Sequence, residues 1–244
     1  MHSNHSSKKN RKPRDRKPNS NGKNISSKLE RYLTRRDFYR ALIEKETRKP
    51  NPELNFFTPN ALMIQAFHAK DGGITLRHSR FVDSIASIIY NHLTKAEKEK
   101  IHAENVSLAA RLHDIGKLMV RSELLSNTGE LNQKEKEEIR KHPQHARKIL
   151  EMEGLPEEII EVAEKHHSPL AEQSQLTRLI AISDAIATMH GERYYEKKTI
   201  TEIIEELRKQ SGKMFDPIYV KTAIKALNNR KILQKWEEIF RKRE

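Results

Sequence analysis

An all-α fold is predicted by three observations. Only eight Gly and nine Pro interrupt 244 residues. Apolar residues recur at three- and four-residue intervals, while the period-two alternation of half-buried strands is scarce. Apolar residues make up 35% of the chain and charged ones 33%, which suits helices with one buried and one solvated face.

The elements follow in order. Residues 1–27 are Ser, Asn, Lys, Arg and Pro, with Ile25 the only large aliphatic residue after Met1, and cannot bury enough surface to offset ordering entropy. They are expected to be a disordered basic tail. From Ser27 to about Lys49, Leu29, Tyr32, Leu33, Phe38 and Leu42 predict a helix ended by Pro50 and Pro52. Asn60 to Lys70 is a second, closed by Asp71-Gly72-Gly73. His78 enters a periodic run through Phe81, Val82, Ile85, Ile88, Ile89 and Leu93, and Asn105 is the expected N-cap of the helix reaching His113-Asp114. A turn at 126–129 precedes Asn132, which with Glu135 has capping-box spacing. Pro143 puts His142 at a helix junction or kink. Ile149 and Leu150 belong to a helix stopped by Gly154; Pro156 opens another that runs to His166-His167, and Pro169 closes it. Leu176 to Met189 is expected to be a buried helix around Asp184. Two more run from Ile200 to Lys209 and from Pro217 to the end, where Ile232, Leu233, Trp236, Ile239 and Phe240 form an apolar face.

Composition excludes several classes. Without Cys there are no disulfides and no thiolate metal sites. No window approaches 18 uninterrupted apolar residues, and the charged amino terminus lacks an apolar stretch behind it, so neither a membrane span nor a secretory signal is expected and a cytoplasmic location is. The formal charge of +13 is concentrated at the ends. Residues 1–27 hold eight Lys/Arg against one Asp, residues 221–244 eight against three Glu, and the body between is nearly balanced. The basic ends are solvated extensions or attract RNA or another anion non-specifically; the tail has no aromatic residue to stack on bases.

The chemistry sits in the body. His113-Asp114 follows the apolar Leu108-Ala109-Ala110 and Leu112, and such a pair is costly to bury unless a partner such as a divalent metal compensates it. His78, His142, His166, His167 and Asp184 occupy other structured segments. A single His is more often a satisfied core or surface residue. Jointly, five His and two Asp exceed what one four- to six-coordinate ion needs, which points to two metals sharing a bridging carboxylate, with Asp114 the natural bridge. Asp184, among Ile180, Ile182 and Ile186, is a ligand or a hydrogen-bonded core residue. Lys117 shares a face with Asp114 if the helix continues, whereas Gly116 would end it. His145 is read as supporting or surface, and His68, His92, His102 and His190 as core or surface.

With His78, His-Asp-Ile-Gly-Lys at 113–117, Lys141-His142-Pro143, His166-His167 and Ile182-Ser183-Asp184-Ala185 in this order, the chain resembles the HD phosphohydrolase superfamily, and within it the HD-GYP phosphodiesterases. The 30 residues from His113 to His142 match that branch's spacing, as do Arg193-Tyr194-Tyr195 and the 212–217 segment Gly-Lys-Met-Phe-Asp-Pro. The resemblance divides the chain into a basic tail (1–27), a helical extension (28–73), an HD domain (74–228) and a basic terminal helix (229–244). It implies a helical bundle in which His78, His113, Asp114 and Asp184 serve one metal and Asp114, His142, His166 and His167 the other. The metals are Fe or Mn in the first place, with Ni, Zn, Co or Mg as alternatives. Lys117 takes the place of a phosphate-contacting lysine, and Arg193 and Lys197 belong to a segment facing the substrate. Asp114 and Lys117 are the residues closest to catalysis.

Departures are local. The Gly-Tyr-Pro loop is absent; Ser168-Pro169 follows the His pair; Ala187 replaces a second Asp; the family's Arg-Pro-Tyr-Lys reads Arg193-Tyr194-Tyr195-Glu196, with Lys197 one place late. Ile74 stands where some members carry a Glu tied to a third metal, so two are expected. The expected activity is hydrolysis of a nucleotide phosphoester by metal-activated water, with a cyclic dinucleotide, a linear nucleotide or an RNA end as substrate. The alternative is a weakly active or inactive HD module that senses a nucleotide or docks RNA or protein.

Overall fold

The computed structural model describes residues 35, 37–49, 59–127, 129–191 and 198–234. Among these, regular structure is helical apart from one isolated bridge between Ser211 and Phe215. The basic tail, Arg193, Lys197 and Trp236 lie outside the described residues.

The extension contributes α1 (37–47) and α2 (Pro59–Asp71). The body begins with α3 (Ile74–His92), the short α4 (Lys95–Lys98) and α5 (Ala103–Leu112). A 3-10 turn (Ile115–Met119) leads to α6 (Ser122–Ser126), α7 (Gln133–Ile139) and α8 (His142–Glu153). Then come α9 (Glu157–Lys165), a 3-10 turn (Leu170–Glu172), α10 (Gln175–His190), α11 (Ile200–Gln210), α12 (Pro217–Leu227) and α13 (230–234).

Local chemistry sets most boundaries. Asn132 and Glu135 form the capping box expected of α7. Gly154 ends α8 at φ 70°, a left-handed conformation that only Gly adopts cheaply. Two expectations are corrected. The fifth helix starts at Ala103, so Asn105 lies inside it, and its Nδ2 donates to Glu158 Oε2 at 2.7 Å; a partner on α9 has taken the capping side chain. The helix from Pro217 does not run on to the end: it stops at Leu227 and resumes at residue 230, across Asn228-Asn229, two poor helix formers.

The core forms around α3, which packs on α5 and α10, and α8, which packs on α9 and the first 3-10 turn. Ile85, Ile89, Ala110, Ile115, Leu150, Leu179 and Ile182 are all buried there. Tyr39, Ile43, Leu62 and Phe67 of the extension belong to the same core. Tyr39 hydroxyl donates to Glu153 Oε1 at 2.8 Å, and burial, then the Glu153 charge, push its phenol far above its ordinary value. The extension thus packs onto the end of α8, the helix whose first residue is His142.

Candidate metal centre

Five segments deliver the donors: α3, the α5 terminus, the start of α8, the end of α9 and the middle of α10. Helix α5 stops at Leu112, His113 is its C-cap, and Asp114 adopts φ −101°, ψ 9° before the 3-10 turn. Lys117 is therefore not on a continuing α-helix. It still reaches Asp114, because the tighter turn bonds Lys117 N–H to Asp114 O at 2.9 Å and brings Nζ to 2.5 Å from Oδ2.

Gly116 does not end α5, which has already stopped at Leu112; it lies within the 3-10 turn and serves a close approach. A Cβ there would lie 1.8 Å from His142 O and 2.6 Å from Ala146 N. The first turn of α8 rests on bare backbone, which sets His142 Nε2 at 3.3 Å from Asp114 Oδ1. From α3, His78 Nε2 lies 2.8 Å from Asp184 Oδ1 and 3.9 Å from Asp114 Oδ2. His113 Nε2 lies 3.4 Å from Asp114 Oδ2 and 3.8 Å from Asp184 Oδ1. His142 Nε2 faces His166 Nε2 at 3.4 Å, and the His166 and His167 rings are 3.9 Å apart.

All seven sequence-predicted donors meet. Donor atoms lie within 4.8 Å of one another in three sets: His142, His166, His167; His78, His113, Asp114; and His113, His166, Asp184. His145 is half-buried and joins none of them. His102 pairs with Glu158 and His92 with Ile88 O, both away from the centre. Arg193 and Lys197 remain outside the described residues.

The donor chemistry fits a cation. His113 Nδ1 donates to Ala110 O at 2.7 Å, His142 Nδ1 to Ile139 O at 2.8 Å and His166 Nδ1 to Ala163 O at 3.1 Å. A carbonyl can only accept, so each Nδ1 carries hydrogen and each neutral ring turns an Nε2 lone pair inward. His113 Nε2 is fully buried and, among the described residues, has no hydrogen-bond partner, since the nearby carboxylate oxygens lie off hydrogen-bond geometry. Lone pairs opposed at 3.4 Å repel unless a proton or metal ion lies between them.

Protons are disfavoured on most of these rings. Burial pulls His142 down to about 4, against the opposing pull of Asp114 and aided by Lys117 and His167. Burial, then His167, His113 and His142, holds His166 well below its usual value, and burial lowers His167 too. His113 differs: burial pulls it down, but Asp114 and Asp184 outweigh that and raise it. Burial pushes both carboxyls up, but Lys117, His113 and His142 hold Asp114 well below the usual range, and His78 and His113 do the same for Asp184. The site is thus two carboxylates and mainly neutral imidazoles, the protonation state that divalent transition metals bind.

The roles of two residues of the site escaped sequence reading. The close approach at Gly116 involves a helix that begins 26 residues later, and Gln173 is a lone polar residue with no motif. Gln173 Nε2 donates to Ser168 O at 2.8 Å, with longer contacts of 3.4 Å to Lys165 O and His166 O.

Several known proteins resemble this chain in sequence and fold. Residues 75–189 match the HD domain family. A cyclic di-GMP phosphodiesterase of Pseudomonas aeruginosa is 28% identical over 182 residues, covering 69% of this chain and 43% of its own. A cyclic di-GMP phosphodiesterase response regulator of Xanthomonas campestris is 26% identical, covering 64% of this chain and 44% of its own. A 3′3′-cGAMP-specific phosphodiesterase of Vibrio cholerae is 25% identical, covering 80% of this chain and 37% of its own. The chain thus spans less than half the length of these relatives. The HD domain of the Listeria monocytogenes phosphodiesterase PgpH shares the fold, with a TM-score of 0.50 at 21% identity, over 68% of this chain and 97% of that one. No helix among the described residues is long and apolar enough to cross a membrane.

Proposed function

Because this chain belongs to the HD-domain phosphohydrolases, with distant homology to the HD-GYP cyclic di-GMP phosphodiesterases, we propose that it hydrolyses a nucleotide phosphodiester with two divalent metal ions. The observation that carries this reading is the inward set of imidazole Nε2 atoms beside two carboxylates, including the orphaned His113 Nε2. His78, His113, Asp114 and Asp184 would hold one ion; Asp114, His142, His166 and His167 the other. Bound there, Fe or Mn would supply positive charge at phosphoryl oxygens and lower the pKa of water toward neutrality.

The chain's own residues do the rest. Asp114, 2% exposed, offers Oδ1 toward His142 and Oδ2 toward His113 and Lys117, so it faces both donor sets. Lys117, with 16% of its side chain exposed, is anchored by Asp114 yet open to solvent, and would turn its ammonium to an equatorial phosphate oxygen. His142 and His166 stay neutral near pH 7 and are ready to ligate without first losing a proton. The relatives' substrates favour a cyclic dinucleotide. The short 168–174 link, replacing the long glycine-rich loop of the resembled branch, leaves a linear dinucleotide or an RNA end as alternative occupants.

The test combines metal analysis with hydrolysis of bis-p-nitrophenyl phosphate, cyclic dinucleotides and linear dinucleotides. The expected result is about two transition-metal ions per chain and release of a phosphomonoester. A metal-loaded protein that binds one of these nucleotides but cleaves none would replace this reading with that of a sensing module.

A further inference from the structure

We propose that Gln173 is a positioning residue for the metal centre, strapping the His166-His167 turn to the helix that carries Asp184. The inference rests on the metal-binding reading above. Helix α9 ends at Lys165, and the chain must then hold two adjacent imidazoles while leaving the helix. The last carbonyls of a helix lack intrahelical partners. Gln173 supplies one side-chain NH2 to this end: 2.8 Å to Ser168 O and 3.4 Å to each of Lys165 O and His166 O. Its amide orientation is fixed by that cluster of acceptors, since a flipped amide would set oxygen against three carbonyls. The residue is 6% exposed, and its Oε1 is buried with no hydrogen-bond partner among the described residues. A side chain present for its own solvation would not leave that oxygen orphaned.

The other end of the strap is equally fixed. Gln173 O accepts from Arg178 Nε at 3.0 Å, and Arg178 donates from its guanidinium to Asp216 Oδ2 at 2.8 Å. Asp216 in turn caps α12 by accepting from Ile218 N at 2.9 Å. The next residue, Ser174, caps α10, and Asp184 lies in the middle of that helix. One residue thus joins the turn bearing His166 and His167 to the start of the helix bearing Asp184, with Arg178 and Asp216 behind it. His166 is the donor shared between the set containing His142 and the set containing Asp184. A turn free to shift by an ångström would separate those sets, and loss of a residue supporting a ligand typically costs 10- to 100-fold in metal affinity.

The experiment uses the full chain, stripped of metal, and two readouts. Cobalt(II) titration followed by its visible absorption reports ligation; amide hydrogen exchange across residues 166–170 reports the turn without any metal. Gln173→Met removes the donor at similar volume. We expect one of the two cobalt equivalents to bind 10- to 100-fold more weakly, and exchange in the turn to quicken by at least about tenfold. Gln173→Asn, with the amide one methylene short, is expected to fall between and serves if the Met variant does not fold. Asn132→Ala, which removes a helix cap remote from the centre, lowers thermal stability but should move neither readout. Wild-type exchange in a folded Gln173 variant overturns the strap, whatever the cobalt result. Failure of the wild type to bind cobalt overturns the metal reading instead, and the exchange measurement still decides whether Gln173 holds the turn.

Discussion

Two charged clusters on α8, one at its middle and one at its amino end, are built on opposite logic. At the middle of the helix, Arg147 donates to Glu151 at 3.0 Å and to Glu157 and Glu164 at 2.7 Å each. Hydrogen bonds to those three carboxylates, Glu164 foremost, raise the guanidinium's pKa further, and every group there has a partner within the protein. At the amino end, His142 joins Asp114, His113, His166 and Asp184, where lone pairs face lone pairs and one buried nitrogen has no hydrogen bond among the described residues. The first cluster is complete and partly exposed; the second is buried and incomplete. Charge groups that compensate one another hold a fold together. Polar atoms left unpaired inside a fold mark a candidate site for something from solution.

The sharpest way to break the comparison is to remove the shared carboxylate. Asp114→Ala should abolish two-metal binding and lower phosphodiesterase activity by at least about 10³-fold, a loss typical of catalytic groups that act as a unit. The secondary structure should persist in circular dichroism, because the Lys117 ammonium left behind is open to solvent and His142 and His166 are neutral. Retained metal stoichiometry in this variant would mean the carboxylate is a core residue after all.

Gly116→Ala probes the same centre through packing. The added Cβ would have to displace His142 O, 1.8 Å away, and hence the first turn of α8. Overpacking of this kind costs roughly 3 kcal/mol or more. For a chain this size that lowers the melting temperature by about 6–12 °C. Metal affinity should fall with it, since His142 moves with the turn. Differential scanning calorimetry and a chelator competition would separate the two effects.

This glycine also shows what sequence could and could not deliver. The seven candidate donors were legible because each is a distinctive residue at a distinctive place: a His opening a periodic apolar helix, an adjacent His-Asp pair after an apolar run, a His before Pro143, a His pair before Pro169, an Asp among isoleucines. Helices bounded by Asn132, Gly154 and Pro156 were legible for the same reason, since a cap is a local event. Gly116, Gln173 and Asn105 depend on partners elsewhere: His142 O, the carbonyls of 165–168, and Glu158. Nothing within a few residues of Asn105 says that a carboxylate on another helix will compete for its side chain. The break at Asn228-Asn229 did carry a local signal, two consecutive poor helix formers, overridden in the reading by the apolar pattern beyond them.

Acid should distinguish the clusters next. With its pKa at about 4 in the folded chain against an ordinary 6.5, His142 is kept neutral by folding. An unfolded chain takes up that proton between those values and the folded one does not, so the stability is full above pH 6.5 and is lost as pH falls toward 4. His142 alone accounts for a quantity on the order of 3 kcal/mol, and His166 and His167 act in the same direction. His113, raised, opposes them: its contribution is present at low pH and lost as pH rises. Asp114 and Asp184, held low, lose theirs only below their usual carboxyl range. The metal-free chain should therefore melt at progressively lower temperature from pH 7 to 4.5, and His142→Gln should flatten that slope. A slope unchanged in the variant would place the titration elsewhere.

The smallest effect belongs to the complete cluster. Arg147→Met keeps the aliphatic stem but removes three ion pairs whose carboxylates are 28%, 53% and 69% exposed. Solvent screens such pairs to a few tenths of a kcal/mol each, and the liberated Glu side chains can hydrate, so a loss of about 1 kcal/mol is expected, or about 2–4 °C in melting temperature. Half-molar salt should shrink that difference. Cobalt affinity and turnover should stay at wild-type values, because no bond in the Arg147 network reaches a donor of the centre. A drop in metal affinity in this variant would show instead that α8 transmits strain from its middle to its first turn, and that the two clusters are parts of one device.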